Sequence, residues 1–418
     1  MLLTSLLQML AGRRVRLLVA GALLAVAAKA RAQTPTAPAD TTLQRLVRTH
    51  QFALAPQGSQ FGGPGWDKLR ADIEKSQLVL IGEDHGMAQI PGFAAAVARE
   101  LKPTLYVAEI DRYQAQDLSR LAAQPGLPAS FLRQHPMGLS FYSWAEEFEL
   151  ARQLRSQHTT ILGIEQVGIA MPGRLYELLA EKVKSKPAKI YLRARATAYQ
   201  ARDRASMVAG GDTPGTMLWL KPAALDSLRA FTRPESPEVQ RMADDFAASY
   251  QIYQAGSHRP RINLMKRNLL RELQPYQPAG QPLPKMLFKF GANHAGQGRS
   301  IWGDIYDVGN LAKNLADIHD QKTLHIFVVG KQGTQVGGQH PDDFTKNVVR
   351  YSYAQEAMVL PFVANTPAGS AWQVFDVRPL RRAMLYEGLK IATPELEATI
   401  LGYDYVVIIP ETTASRNF

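Results

Sequence analysis

The chain has 418 residues, 46% of them hydrophobic, with 48 Lys+Arg against 37 Asp+Glu and no cysteine. The lack of cysteine excludes disulfides, thiolate metal sites and a lipid-modified amino terminus. Of the formal net charge of +11, five cations and no anions fall in the first 32 residues, so the remainder carries +6 with no basic run interleaved with aromatics; this excludes a nucleic-acid footprint.

Residues 1–32 read as a signal peptide. Arg13, Arg14 and Arg16 make a basic start, Leu17 to Ala28 an apolar run, and Ala30-Arg31-Ala32 an A-x-A cleavage site. The expected location is periplasmic or secreted. No later stretch approaches the ~20 apolar residues of a membrane span. Residues 33–45 are assigned to a linker, and the rest of the chain is long enough to bury a large core.

The first α/β unit begins with the run Leu78-Val-Leu-Ile81, which stops at Gly82-Glu83-Asp84-His85-Gly86. Phe93, Val97 and Leu101 then fall on one helical face, and Lys102-Pro103 ends that helix. A second strand, Leu105 to Ala108, stops at Glu109. Phe141, Trp144, Phe148, Ala151 and Leu154 read as one face of the next helix, and a third strand, Thr160 to Ile164, stops at Glu165. From 172 to 274 the pattern is helical almost throughout. Strand patterns resume at Lys285–Phe290, running into Gly291-Ala-Asn293-His294, then at Leu324–Val329 and Tyr405–Ile409. The expected fold is α/β, a mostly parallel sheet flanked by helices, with a helical insertion over the carboxyl edge of the sheet. The core is divided into 46–171 and 275–418, and 172–274 is read as a lid.

Four strands thus end in chemically capable groups: Glu83 with His85, Glu109, Glu165, and His294 with Asn293. In a parallel sheet the carboxyl ends share one edge, where ligands bind. Two chemistries suit this set. An imidazole can activate water as a general base while a carboxylate fixes its tautomer, or His and Glu can hold a metal-bound water. No G-x-S-x-G elbow, P-loop or G-x-G-x-x-G turn is present, so a serine nucleophile and a nucleotide cofactor are not expected. Arg261, Met265 and Asn268 share one face of a helix leading into the His294 strand; the arginine and asparagine are candidates for binding a substrate oxyanion or ordering the carboxylates.

The motifs Gly82-Glu83-x-His85-Gly86, Glu109, Phe141-Tyr-Ser-Trp144, Gly163-Ile-Glu165-Gln166, Arg261-x-x-x-Met265-x-x-Asn268, Asn293-His294, Tyr403-Asp404 and Thr412-Thr-Ala414 span residues 77–414. In order and spacing the chain resembles the erythromycin-esterase-like superfamily, which groups with the Tiki, TraB and ChaN families. The resemblance implies an α/β core with a helical subdomain over the cleft and metal-independent hydrolysis. His85 would then be the base, Glu83 and Glu109 its supporting carboxylates, and His294 and Arg261 contributors from the far side. Glu165, Asn268 and Asn293 complete the expected substrate-binding set.

Glu83-Asp84-His85 is the shorter, Tiki- or ChaN-like form of the first motif, and the second histidine motif lacks a further upstream histidine. Both departures lead away from macrolides. The expected function is an exported hydrolase of ester or related bonds acting on a small molecule, with no cofactor. A ChaN-like reading would bring haem, and a Tiki-like peptidase reading a divalent metal. The sequence sets no oligomeric state.

Overall fold

The computed structural model describes residues 41–210, 213–278, 280–300 and 305–417; the expected signal peptide lies outside them. A helix occupies Thr41–Thr49, so the stretch assigned to a linker up to residue 45 runs into regular structure. Its apolar side explains why: Val47 is buried, and Leu43 and Leu46 pack against the core.

Among the described residues ten strands form one sheet. They are β1 (Gln51–Gln57), β2 (Gln60–Gly62), β3 (Leu78–Glu83), β4 (Leu105–Ala108), β5 (Thr160–Gly163), β6 (Met286–Gly291), β7 (Thr323–Val336), β8 (Val348–Ser352), β9 (Trp372–Asp376) and β10 (Tyr405–Thr412). Their order is β2-β1-β9-β10-β7-β3-β6-β4-β5, with β8 on the far end of β7. The stretch from β10 to β5 is parallel. The β1, β2, β8 and β9 pairings are antiparallel. The fold class is therefore α/β with a mostly parallel sheet, as the alternation predicts.

The parallel strands are apolar runs because helices cover both faces. Every residue of β3 is buried, and the Gln89–Leu101 helix lays Ile90, Phe93, Ala94, Val97 and Leu101 against the sheet. The antiparallel strands are not apparent in the sequence. β1 (QFALAPQ), next to the short edge strand β2, and β8 (VVRYS), which pairs with the end of β7, are polar and part-exposed, unlike the buried parallel strands.

From 172 to 273 the described chain is helical: Pro172–Lys182, Lys186–Val208, Thr216–Trp219, Pro222–Thr232, Pro237–Ala255 and His258–Leu273. These helices build a second apolar cluster of their own, in which Tyr176 meets Tyr199 and Phe246 edge-on. Polar ties fix them to the Arg112–Ala122 helix that follows β4 and to the loop after β5. Arg174 bonds Asp117 at 2.8 Å, Tyr113 donates to Asp245 at 2.7 Å, and the Val167 amide donates to Ser249 at 2.9 Å. The helices thus meet the sheet at its carboxyl edge, where Glu109 and Glu165 emerge. Among the described residues no helix is long and apolar enough to cross a membrane.

Candidate active site

β3, β6, β4 and β5 run side by side and parallel, so their carboxyl ends deliver polar groups to one place. Glu83 is the last residue of β3 and His85 comes two positions later. The turn needs Gly86, which has φ 90°, and a Cβ there would lie 2.7 Å from the Val336 carbonyl oxygen. That turn is held from two sides: the Gly86 carbonyl accepts the amides of Val336 at 3.0 Å and Ser415 at 2.9 Å.

The convergence is a chain of alternating carboxylates and imidazoles. His85 Nδ1 lies 2.7 Å from Glu83 Oε1, and His85 Nε2 lies 3.4 Å from Glu109 Oε2. On the other side, His294 Nε2 lies 3.5 Å from Glu109 Oε1, and His294 Nδ1 lies 2.8 Å from Asp307 Oδ2. Glu109 is further held by the Gly291 amide at 2.6 Å and by Arg261 Nη2 at 2.8 Å. Arg261 also bonds Glu165, through Nε at 2.9 Å. His85, Glu83, Glu109, His294, Arg261 and Glu165 therefore form one connected group.

The other two predicted residues sit differently. Asn268 is buried and donates to the Ile164 carbonyl at 2.8 Å, tying its helix to the end of β5. Asn293 is half-buried in the short Ala292–Ala295 helix that carries His294.

The charges are set by each other. Burial disfavours an imidazolium, but bonds and charge from Glu109 and Glu83 outweigh it and push His85 up to about 10. His294 is raised too, with Asp307 and then Glu109 overcoming its burial. Glu109 is held well below the usual carboxylate range despite its burial, foremost by His294, then by His85 and Arg261. Both imidazoles are thereby biased toward their protonated form, and Glu109 between them toward its ionised form. Access separates those two: the His85 side chain is 21% exposed and the His294 side chain 3%.

Four contributing residues, Phe141, Asp307, Lys289 and Glu147, are not singled out as site residues by the sequence. Helical spacing puts Phe141 on a helix face toward the core; it instead lies in the Ser140–Ser143 turn and stacks on His85, with ring centroids 3.8 Å apart at 18°. Asp307 carries no signal beyond being a helix N-cap. Lys289, buried within β6, bonds Glu83 Oε1 at 2.5 Å and Glu147 Oε1 at 2.6 Å. Its signal is a lone cation inside an apolar strand, which must be paired to be buried.

Among the described residues no group of three His, Asp or Glu side chains is arranged to hold a metal ion. Both ring nitrogens of His85 face carboxylate oxygens, which competes with ligation.

No protein-family model matches the sequence, and no curated protein matches it. Solved structures do match. A succinoglycan biosynthesis protein is 13% identical with TM-score 0.54, covering 90% of this chain and 98% of its own. A Bacillus cereus protein gives the same figures. A histidine-to-asparagine mutant of the erythromycin esterase EreC, in its open conformation, is 14% identical with TM-score 0.52, covering 84% of this chain and 94% of its own. At such identity the likeness speaks for the fold alone. Together with the ordered strand-end motifs, it gives this chain the erythromycin-esterase-like fold.

Proposed function

We propose that the protein is an exported hydrolase that cleaves an ester or related bond of a small molecule, with His85 as its proton-transfer residue. The observation that carries this reading is the Glu83–His85–Glu109 alignment, in which the one part-exposed imidazole of the site has its Nδ1 fixed by a buried carboxylate. That is the arrangement an acid–base histidine needs.

In the reaction, neutral His85 takes a proton at Nε2 from a water molecule as its oxygen attacks the substrate carbonyl. The resulting imidazolium returns that proton to the leaving oxygen as the tetrahedral species collapses. Glu83 and Glu109 stabilise the imidazolium between these steps. Arg261, bonded to Glu109 and Glu165, orders the carboxylates, and His294 with Asp307 holds Glu109 from behind.

A histidine titrating near 10 is neutral in only about one molecule in a thousand at pH 7. That neutral form is nevertheless a far stronger base than Glu109, which is held well below the carboxylate range. Substrate entering between His85 Nε2 and Glu109 weakens the contact that raises His85, bringing its titration toward neutrality.

The test is hydrolysis of a panel of p-nitrophenyl esters and small lactones by purified protein, with and without chelator. The expected result is turnover that survives chelation, in a protein without a Soret band or stoichiometric metal. Turnover that chelator removes and added metal restores would replace this reading with a metal-dependent one. A Soret band with no turnover would replace it with ligand binding.

A further inference from the structure

Behind His85 lies a buried ion cluster in which Glu83 is joined by two residues that the proposed reaction does not use, Lys289 and Glu147. Lys289 comes from β6 and Glu147 from the Ala145–Ser156 helix. The side chains of Lys289, Glu147 and Glu83 are 3%, 1% and 2% exposed. Lys289 Nζ meets Glu83 Oε1 at 2.5 Å, and that same oxygen faces His85 Nδ1 at 2.7 Å. The ammonium and the imidazole therefore share one carboxylate oxygen.

A carboxyl group buried as deeply as Glu83 would ordinarily favour its neutral form. A neutral Glu83 would donate to Nδ1 instead of accepting from it. The uncharged imidazole would then carry its proton on Nε2 and have no base to offer on the substrate side. We infer that Lys289 is a positioning residue for His85: its ammonium keeps Glu83 ionised, so that Nδ1 keeps its proton and Nε2 is the nitrogen that exchanges protons with substrate.

This rests on the hydrolase reading for its purpose, but not for its geometry. Lys289 is the leading cause holding Glu83 below the ordinary carboxylate value against its burial. Charges reach His85 from each packed element: Glu83 from β3, Asp84 beside it, Glu109 after β4 with His294 and Arg261 beyond, and Lys289 with Glu147 from behind. Of the described groups, Lys289 is the cation bonded to the oxygen that His85 Nδ1 uses.

The experiment is ¹⁵N NMR of the histidine rings across pH, with His85 assigned by loss of its signals in His85→Gln. In the unaltered protein the neutral His85 ring is expected to show a protonated Nδ1 and a bare Nε2. In Lys289→Met combined with Glu147→Gln, which leaves Glu83 without its cation, the proton is expected to move to Nε2. The titration midpoint should fall there by about one pH unit or more as Glu83 becomes neutral. A folded double variant with the original tautomer and midpoint would overturn the inference.

Should the double variant not fold, Lys289→Arg and Glu147→Gln singly give the answer. Lys289→Arg should keep the Nδ1–H form. Glu147→Gln gives Lys289 wholly to Glu83, so it should also keep that form and move the midpoint to lower pH. An Nε2–H ring in either, or an unmoved midpoint in Glu147→Gln, would overturn the inference. The ring signals need no substrate, so this result stands or falls apart from the search for turnover.

Discussion

The two halves of the site are near-copies that differ in access. Each has an imidazole with Nδ1 on a buried carboxylate, Glu83 at 2.7 Å or Asp307 at 2.8 Å, and Nε2 near one oxygen of Glu109, at 3.4 Å or 3.5 Å. One histidine is part-exposed and stacked on Phe141; the other is sealed. Electrostatics alone therefore does not choose the reacting residue. Solvent access does, and the sealed half serves to hold Glu109 in place and ionised.

Separating the halves by mutation should give the largest effect. His85→Ala is expected to lower turnover by about 10²–10⁴-fold, the usual contribution of an acid–base residue, while leaving the melting temperature close to that of the parent. His294→Ala should show the reverse emphasis. It leaves Glu109 and Asp307 buried without the imidazole between them, and breaking a buried pair costs roughly 3–5 kcal/mol. Denaturant melts and ester kinetics on both variants decide this; matching profiles would erase the distinction.

Next in size is the cation that joins Glu109 to Glu165. Arg261→Met should destabilise by about 3 kcal/mol, the low end of the buried-pair range, because its side chain is 22% exposed. A smaller loss is expected at the turn that presents the exposed half. Gly86→Ala must hold φ 90° with its Cβ against the Val336 carbonyl, which costs about 1–3 kcal/mol. His85 should lose its alignment with it, so turnover should fall more than it does in an equally destabilised variant remote from the turn.

Legibility in the sequence depends on how each residue is held. Strand ends are readable because β3, β4, β5 and β6 are apolar runs stopped by Glu83, Glu109, Glu165 and Gly291. Parallel pairing then brings those stops together without any sequence adjacency. Helical spacing finds Arg261, although it cannot tell that both Glu109 and Glu165 claim the guanidinium. Asn268, on the same face, bonds a backbone carbonyl rather than entering the ion group.

Periodicity misplaces Phe141 because the helical pattern continues backward through a turn: Phe141 and Trp144 fit the face, yet the helix starts only at Ala145. The strands β1, β2 and β8 escape a sequence reading because part-exposed antiparallel strands do not demand an apolar run, and β9 escapes it because Gln373 and Asp376 interrupt its short buried segment. Asp307 is invisible because its role depends entirely on where the chain returns after His294.

The central claim, that His85, held protonated by two carboxylates, must lose its Nε2 proton before it can accept one from water, is tested most directly by the pH dependence of kcat/KM. His85 is raised from its ordinary 6.5 to about 10, so the reactive neutral form grows tenfold per pH unit through neutrality. The account predicts kcat/KM rising with unit slope from about pH 6.5 and levelling near pH 10, reporting the free enzyme. A profile that is flat or falling across pH 7–9 would contradict it, because the group in control would then not be a histidine that must first be deprotonated.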